Sequence, residues 1–259
     1  MRRSACVGLC AALVVLATPG TSVPAAAETG ALAQSSRLKP LRLRETCVTR
    51  AERQHVLRFR ASDGVRLIGV LLGSGPRAVI LAHQGASDLC IWAPFARTLA
   101  ARGYRVLIFD HRGFGSSGQA SRSTRRDRVD YDVLGAIAAL RSRGATSIVL
   151  GGASLGAAAV LSAAARSVPP VSGVFSLSSP SRYKRMNIVN AVRAFRVTAL
   201  FLATEEDHPF TEEAQELYDA DGFPEKQLMI FSGFEHGVFM LGKPDAQGAV
   251  DAFIARYSP

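Results

Sequence analysis

One ten-residue stretch constrains this chain more than any other: Ser147-Ile-Val-Leu-Gly-Gly-Ala-Ser-Leu-Gly156. The apolar run Ile148-Val149-Leu150 leads into Gly152-Ala153-Ser154-Leu155-Gly156, and an alanine-rich helical segment follows at once. A G-x-S-x-G pattern set between a strand and a helix turns the chain sharply at its serine. Glycines two before and two after leave room for strand and helix to pack closely. The serine hydroxyl then projects from the C-terminal end of the strand. The Leu155 N–H sits at a helix N-terminus, where it can donate to a developing oxyanion.

The rest of the chain alternates strand-like and helix-like segments. Val56–Arg60 and Val65–Leu72 flank the turn signal Ser62-Asp63-Gly64. Ala78–Ala82 reads as a short buried strand, Trp92–Arg102 as an amphipathic helix stopped by Gly103, and Arg105–Phe109 as the next strand. Asp127–Arg143 carries helical spacing through Val129, Val133, Ile137 and Leu140. Beyond the Ser147–Leu150 strand and the Leu155–Arg166 helix come strands at Val171–Leu177, Ala199–Ala203 and Gln227–Phe231, with helices at Thr211–Asp219 and Ala246–Tyr257. Alternation of this kind predicts a mostly parallel sheet covered on both faces, with its site at the C-terminal strand ends.

A serine nucleophile needs a base, and the base needs an orienting carboxylate. After the strand Ala199–Ala203 comes Thr204-Glu205-Glu206-Asp207-His208-Pro209. After Gln227–Phe231 comes Ser232-Gly233-Phe234-Glu235-His236-Gly237. Ser154, Asp207 and His236 thus follow one another at strand ends in the chain order Ser…Asp…His. Glu206 is the rival acid.

These blocks, with two others, resemble the α/β-hydrolase fold family of serine hydrolases, over roughly residues 56 to 258. His83-Gln84-Gly85 resembles its oxyanion block, and Asp110-His111-Arg112-Gly113-Phe114-Gly115-Ser116-Ser117 its D-x-R-G-x-G-x-S loop. Leu200–Asp207 resembles its acid block, with Thr204 where glycine is usual, and that alignment favours Asp207 over Glu206. The resemblance implies an α/β sheet of about eight mostly parallel strands with helices on both faces. It implies oxyanion donation by Leu155 and Gly85, with Gln84 as the alternative donor. Gln84 stands where the family usually has glycine, so its carboxamide either touches substrate or bonds loop backbone. Arg112 is a loop organiser on this reading. Only Pro180 to Val197 separates two successive strands where other members insert a cap, so the cap is minimal or absent. Trp92 and Phe234 are candidates to wall the acyl pocket, with helix-core packing the alternative for Trp92.

Three sequence domains follow. Residues 1–27 read as a secretory signal peptide: Arg2 and Arg3, an apolar run from Ala5 to Thr18, then Ala25-Ala26-Ala27. Residues 28–55 form a partly flexible lead-in, and 56–259 the catalytic domain. Cleavage would remove two arginines and no acids, taking the net charge from +10 to +8. That basic surface carries no nucleic-acid motif and few aromatics; loose attraction to an anionic cell envelope is its modest reading. Cys47 and Cys90 remain as an even pair in an exported chain, which predicts a disulfide. No ligand-spaced histidines suggest a metal, and no cofactor is called for. The expectation is therefore an exported carboxylic ester hydrolase acting on a small-molecule ester or acyl substrate. A peptidase or amidase, an acyltransferase and a non-catalytic binding protein stand behind it in that order.

Overall fold

The computed structural model describes residues 39–121 and 124–258; the segment read as a signal peptide lies outside the described residues. β1 (Val56–Arg60) and β2 (Arg66–Leu72) form a hairpin, followed by β3 (Arg77–Ala82), α1 (Ala93–Ala101) and β4 (Arg105–Phe109). Next come α2 (Asp130–Arg141), β5 (Ser147–Ala153), α3 (Leu155–Ala164) and β6 (Gly173–Leu177). A small hairpin, β7 (Arg182–Tyr183) and β8 (Met186–Asn187), runs into α4 (Ile188–Arg193). The chain closes with β9 (Ala199–Thr204), α5 (Phe210–Ala220), β10 (Lys226–Phe231) and α6 (Pro244–Tyr257).

Eight strands form one sheet in the order β1-β2-β4-β3-β5-β6-β9-β10. β2 runs antiparallel to both β1 and β4, and the pairings from β4 through β10 are parallel. The apolar runs of the central strands explain why both faces are covered. Successive side chains of a strand point to opposite faces, so a strand without polar alternation needs an apolar layer on each side. In β3, Ala78, Ile80 and Ala82 join one buried cluster with α2 and α3, while Val79 and Leu81 join the other with α1 and α6. β4 divides the same way, Leu107 and Phe109 against Val106 and Ile108.

Several boundaries differ from the sequence expectation. The helix read from Trp92 begins instead at Ala93, after a 3-10 turn over Leu89–Trp92. Asp88 opens that turn by accepting from the Cys90 N–H at 2.8 Å, and Pro94, which has no N–H to lose, sits in the helix's first turn. Trp92 does not wall a substrate pocket. It is fully buried, with its ring 6.0 Å from that of Phe95 and 6.4 Å from that of Phe175. The segment between β6 and β9 holds the β7–β8 hairpin as well as the one short helix, whose N-cap Asn187 accepts from the Asn190 N–H at 3.0 Å.

The described part of the lead-in is fastened to the domain rather than loose. A disulfide joins Cys47 to Cys90. Arg97 of α1 makes two hydrogen bonds to the Glu52 carboxylate, at 2.7 and 2.9 Å, and donates to the Cys47 carbonyl at 2.7 Å. Arg53 donates to the carbonyls of Leu43 and Glu45. Val48 and Glu45 are buried as a result. No helix among the described residues is long and apolar enough to cross a membrane.

The disulfide bridges cysteines 43 positions apart. A cross-link over a loop of that length restricts the unfolded chain by about 2–4 kcal/mol. Replacing both Cys47 and Cys90 by serine is expected to lower the unfolding free energy by that amount in urea titrations. An unchanged midpoint would show that the disulfide contributes nothing to stability.

Candidate active site

β5 ends in Ala153, and Ser154 turns the chain into α3 with φ +49° and ψ −114°. A non-glycine residue at positive φ costs about 1–3 kcal/mol and persists only where its surroundings enforce it. The enforcement is visible. Ser154 N–H donates to the Leu177 carbonyl of β6 at 2.9 Å, and its own carbonyl accepts from Ala158 N–H at 3.0 Å. A Cβ on Gly152 would lie 2.3 Å from the Gly156 carbonyl oxygen, and one on Gly156 would lie 2.1 Å from that of Ala82. Neither approach tolerates a side chain. Ser154 is part-exposed while Ala153 and Leu155 on either side are buried.

Asp207 follows β9 and is 8% exposed, while its rival Glu206 and the neighbouring Glu205 face solvent. His236 follows β10, and its Nδ1 lies 3.0 Å from both Asp207 carboxylate oxygens. A carboxylate oxygen accepts, so Nδ1 donates, and in the neutral imidazole that tautomer leaves Nε2 with its lone pair. The Phe210 ring covers one side of the imidazole, 4.5 Å between centroids.

The acid and base loops are stitched together by backbone. Glu205 N–H donates to the Phe231 carbonyl and Glu206 N–H to that of Gly233, both at 2.9 Å. Thr204, which stands where the family resemblance led one to expect glycine, donates its hydroxyl to the Glu235 carbonyl at 3.1 Å. The base loop also reaches the elbow: a Cβ on Gly237 would sit 3.3 Å from the Ala153 Cβ. So the residue after His236 lies against the residue before Ser154. Ser154 makes no side-chain cap bond to its own helix, and its hydroxyl has no partner among the described hydrogen bonds. Nucleophile–base bonds are commonly long in ligand-free enzymes and tighten with substrate.

The His83-Gln84-Gly85 turn follows β3 and abuts the start of α3, since a Cβ on Gly156 would run into the Ala82 and His83 carbonyls. Leu155 opens α3, where first-turn N–H groups have no intrahelical acceptor. Gly85 is exposed. His83 is buried, and its Nε2 accepts the His111 N–H at 3.0 Å while Nδ1 lies 2.8 Å from the Gln84 carbonyl. Nδ1 therefore donates. Burial, reinforced by nearby His111, holds His83 neutral, with its pKa down to about 3. Phe234, two residues before His236, is 73% exposed.

Supporting loops are built from buried charge. Arg112 donates to Asp132 at 2.8 Å and to both Asp63 oxygens at 2.7 and 2.8 Å, and is itself 2% exposed. It touches none of the candidate catalytic groups in those bonds, in keeping with an organising role. Asp110 accepts from Leu89 N–H at 2.9 Å and from Ser116 N–H at 2.8 Å. Glu45 accepts the Ser116 hydroxyl at 2.7 Å beside it. Sequence reasoning passed over Glu45, Asp132 and Ser178, which lie in segments that carry no motif of their own. No group of metal-ligating side chains occurs among the described residues.

Known proteins place this architecture. Residues 77–193 match the alpha/beta hydrolase fold family. An uncharacterized Escherichia coli K12 protein, YfhR, is 35% identical over 114 residues, which cover 40% of this chain and 39% of that protein. The chain thus matches only about two fifths of its curated relative's length. Among solved structures, the Pyrococcus furiosus esterase Pf2001 superposes with a TM-score of 0.68 at 20% identity, covering 79% of this chain and 91% of its own. The esterase domain of a Rhodothermus marinus protein gives 0.61 at 23% identity, covering 79% and 99%. The esterase RhEst1 from Rhodococcus sp. ECU1013 gives 0.64 at 15% identity, covering 78% and 99%. The chain has the alpha/beta hydrolase fold.

Asp110 and Glu45 give the site's scaffold a pH dependence. Burial, with the nearby Glu45 charge, outweighs the two N–H donors and pushes Asp110 from 3.8 up to about 7. Burial acts to raise Glu45 too, but hydrogen bonds from Ser116 and the backbone hold it below its ordinary value. The folded protein therefore keeps a proton on Asp110 that the unfolded chain releases near pH 3.8. Because the native state keeps this proton in that window, the contribution of Asp110 to stability falls as pH rises from about 4 to about 7, while His83, held neutral in the fold, contributes in the opposite sense as pH rises from about 3 to 6.5. Glu45→Gln supplies an amide donor in place of the repelling charge and is expected to flatten this fall. Urea unfolding across that pH range checks it; a wild-type slope in the variant would show that the two carboxyls do not interact.

Proposed function

We propose that the protein is an exported serine hydrolase that cleaves small carboxylic esters through an acyl-enzyme on Ser154. The observation that carries this reading is the Asp207–His236 pair, with Nδ1 committed to the carboxylate at 3.0 Å, next to a serine held at φ +49°. The structurally similar esterases support it. The Cys47–Cys90 disulfide agrees with export, because such bonds persist in oxidising compartments.

In this mechanism His236 Nε2 takes the Ser154 proton as Oγ attacks the ester carbonyl. Asp207 keeps the imidazole in the tautomer that leaves Nε2 free, and stabilises the imidazolium that forms. The carbonyl oxygen gains charge and is bound by the Leu155 and Gly85 N–H groups, each such donor contributing about 3–4 kcal/mol in the transition state. His236 then gives its proton to the departing alcohol. Water attacks the acyl-enzyme with His236 again as base, releasing the acid and restoring the serine.

Turnover of p-nitrophenyl acetate tests this reading. Ser154→Ala, His236→Ala and Asp207→Asn are each expected to cost about 10⁴-fold in kcat. Glu206→Gln changes an exposed side chain and should leave kcat within about twofold, given that exposed groups couple weakly. An Asp207→Asn enzyme as fast as wild type would remove Asp207 from the mechanism. An aminoacyl p-nitroanilide run alongside separates ester from amide hydrolysis, and faster anilide turnover would replace the esterase reading with a peptidase.

A further inference from the structure

The loop bearing His236 leaves β10 at Phe231 and must bring its imidazole back to the sheet edge beside Ser154. Two consecutive N–H groups just past His236 are held by side chains from other strand ends. Gly237 N–H donates to Ser178 Oγ at 2.9 Å, and Val238 N–H donates to Gln84 Oε1 at 3.0 Å. Ser178 follows β6 directly, and Gln84 stands two residues beyond β3. β3 and β6 are the two neighbours of β5 in the sheet. The two anchors therefore straddle the strand that delivers Ser154.

The fit at this clasp is tight. Gly237 has φ +60°, and a Cβ there would lie 2.4 Å from Gln84 Oε1. The loop backbone is thus pressed onto the carboxamide with no space for a side chain between them. Gln84 is itself fixed by its main chain, since its carbonyl accepts from His83 Nδ1 and His83 in turn accepts from His111 N–H. A continuous chain of hydrogen bonds runs from the end of β4 through His83 and Gln84 to the residue two past His236.

We propose that Gln84 is a positioning residue: its carboxamide oxygen, by holding the Val238 N–H, sets where the His236 imidazole stands relative to Ser154. The proposal rests on the catalytic reading of Ser154 and His236 given above. It also accounts for glutamine at this position of the oxyanion turn. One residue couples the turn that supplies oxyanion donors to the loop that supplies the base, so the two move as a unit. A displacement of about 1 Å in such a group costs on the order of 10²-fold in rate. Because the clasp orients the base and does not touch substrate, its loss falls on kcat and spares KM.

The test compares Gln84→Leu, Gln84→Glu and Gln84→Asn with Ser154→Ala on p-nitrophenyl acetate, with thermal unfolding of each. Leucine keeps the bulk and removes the acceptor; glutamate keeps an acceptor at the same reach; asparagine withdraws it by one methylene. Gln84→Leu and Gln84→Asn are expected to lose about 10- to 100-fold in kcat with KM within about threefold, and Gln84→Glu to recover most of that loss. If the leucine variant does not fold, the asparagine and glutamate variants carry the comparison. Wild-type kcat in Gln84→Asn, or a Gln84→Glu enzyme as slow as the others, overturns the proposal. If Ser154→Ala keeps its activity, the catalytic reading itself fails; if Ser154→Ala is inactive while Gln84→Leu turns over at the wild-type rate, only the positioning role fails.

Discussion

Everything in the site hangs on the turn at Ser154. Its backbone is held where a side-chain-bearing residue is unfavourable, and it stays there because three elements converge on it: β6 through Leu177, α3 through Ala158, and β3 through the contact of Gly156 with Ala82. The strain costs a small fraction of what the two buried clusters around β3, β4 and β5 supply, so the sheet can sustain it. The same geometry that makes the serine costly makes it accessible. Its neighbours are buried, and it alone in that turn meets solvent.

The other groups arrive by the logic of a parallel sheet. β3, β5, β6, β9 and β10 run in one direction, so the segments after them gather at one edge. Gathering alone does not align them. Alignment comes from short polar bridges between neighbouring loops: Thr204 to Glu235, Glu206 to Gly233, Gly237 to Ser178 and Val238 to Gln84. Beneath them lies a second tier of buried polar groups, His83, Asp110, Arg112 and Asp132, satisfied largely by one another and by backbone. Buried polar groups of this kind are costly when left unpaired, so the tier fixes loop geometry more than it adds stability.

Much of this was legible in the sequence because it lay in local patterns. The alternation of apolar runs with helical spacing gave the mostly parallel sheet, and the glycine pair around Ser154 gave the elbow. Asp207 and His236 could be read because each stands just past a strand, and Cys47 and Cys90 because they were the even pair left outside the segment read as a signal peptide. What sequence did not reveal depends on long-range partners. Gln84 was left between touching substrate and bonding backbone, and it is Val238, 154 residues on, that decides it. Trp92 sat on the right segment to reach a pocket, but the 3-10 turn before α1 rotates it into the core with Phe95 and Phe175. Glu45 carried no motif, and its burial follows from Ser116, 71 residues away, and from Arg53.

The most direct measurement is covalent. The protein would be treated with a fluorophosphonate at neutral pH, its intact mass taken, and the adduct located by peptide mapping. The account predicts a single adduct on the Ser154 Oγ that a Asp207→Asn background slows sharply without changing the site. No adduct on well-folded protein, or an adduct on another serine, would contradict the claim that Ser154, His236 and Asp207 form one catalytic unit.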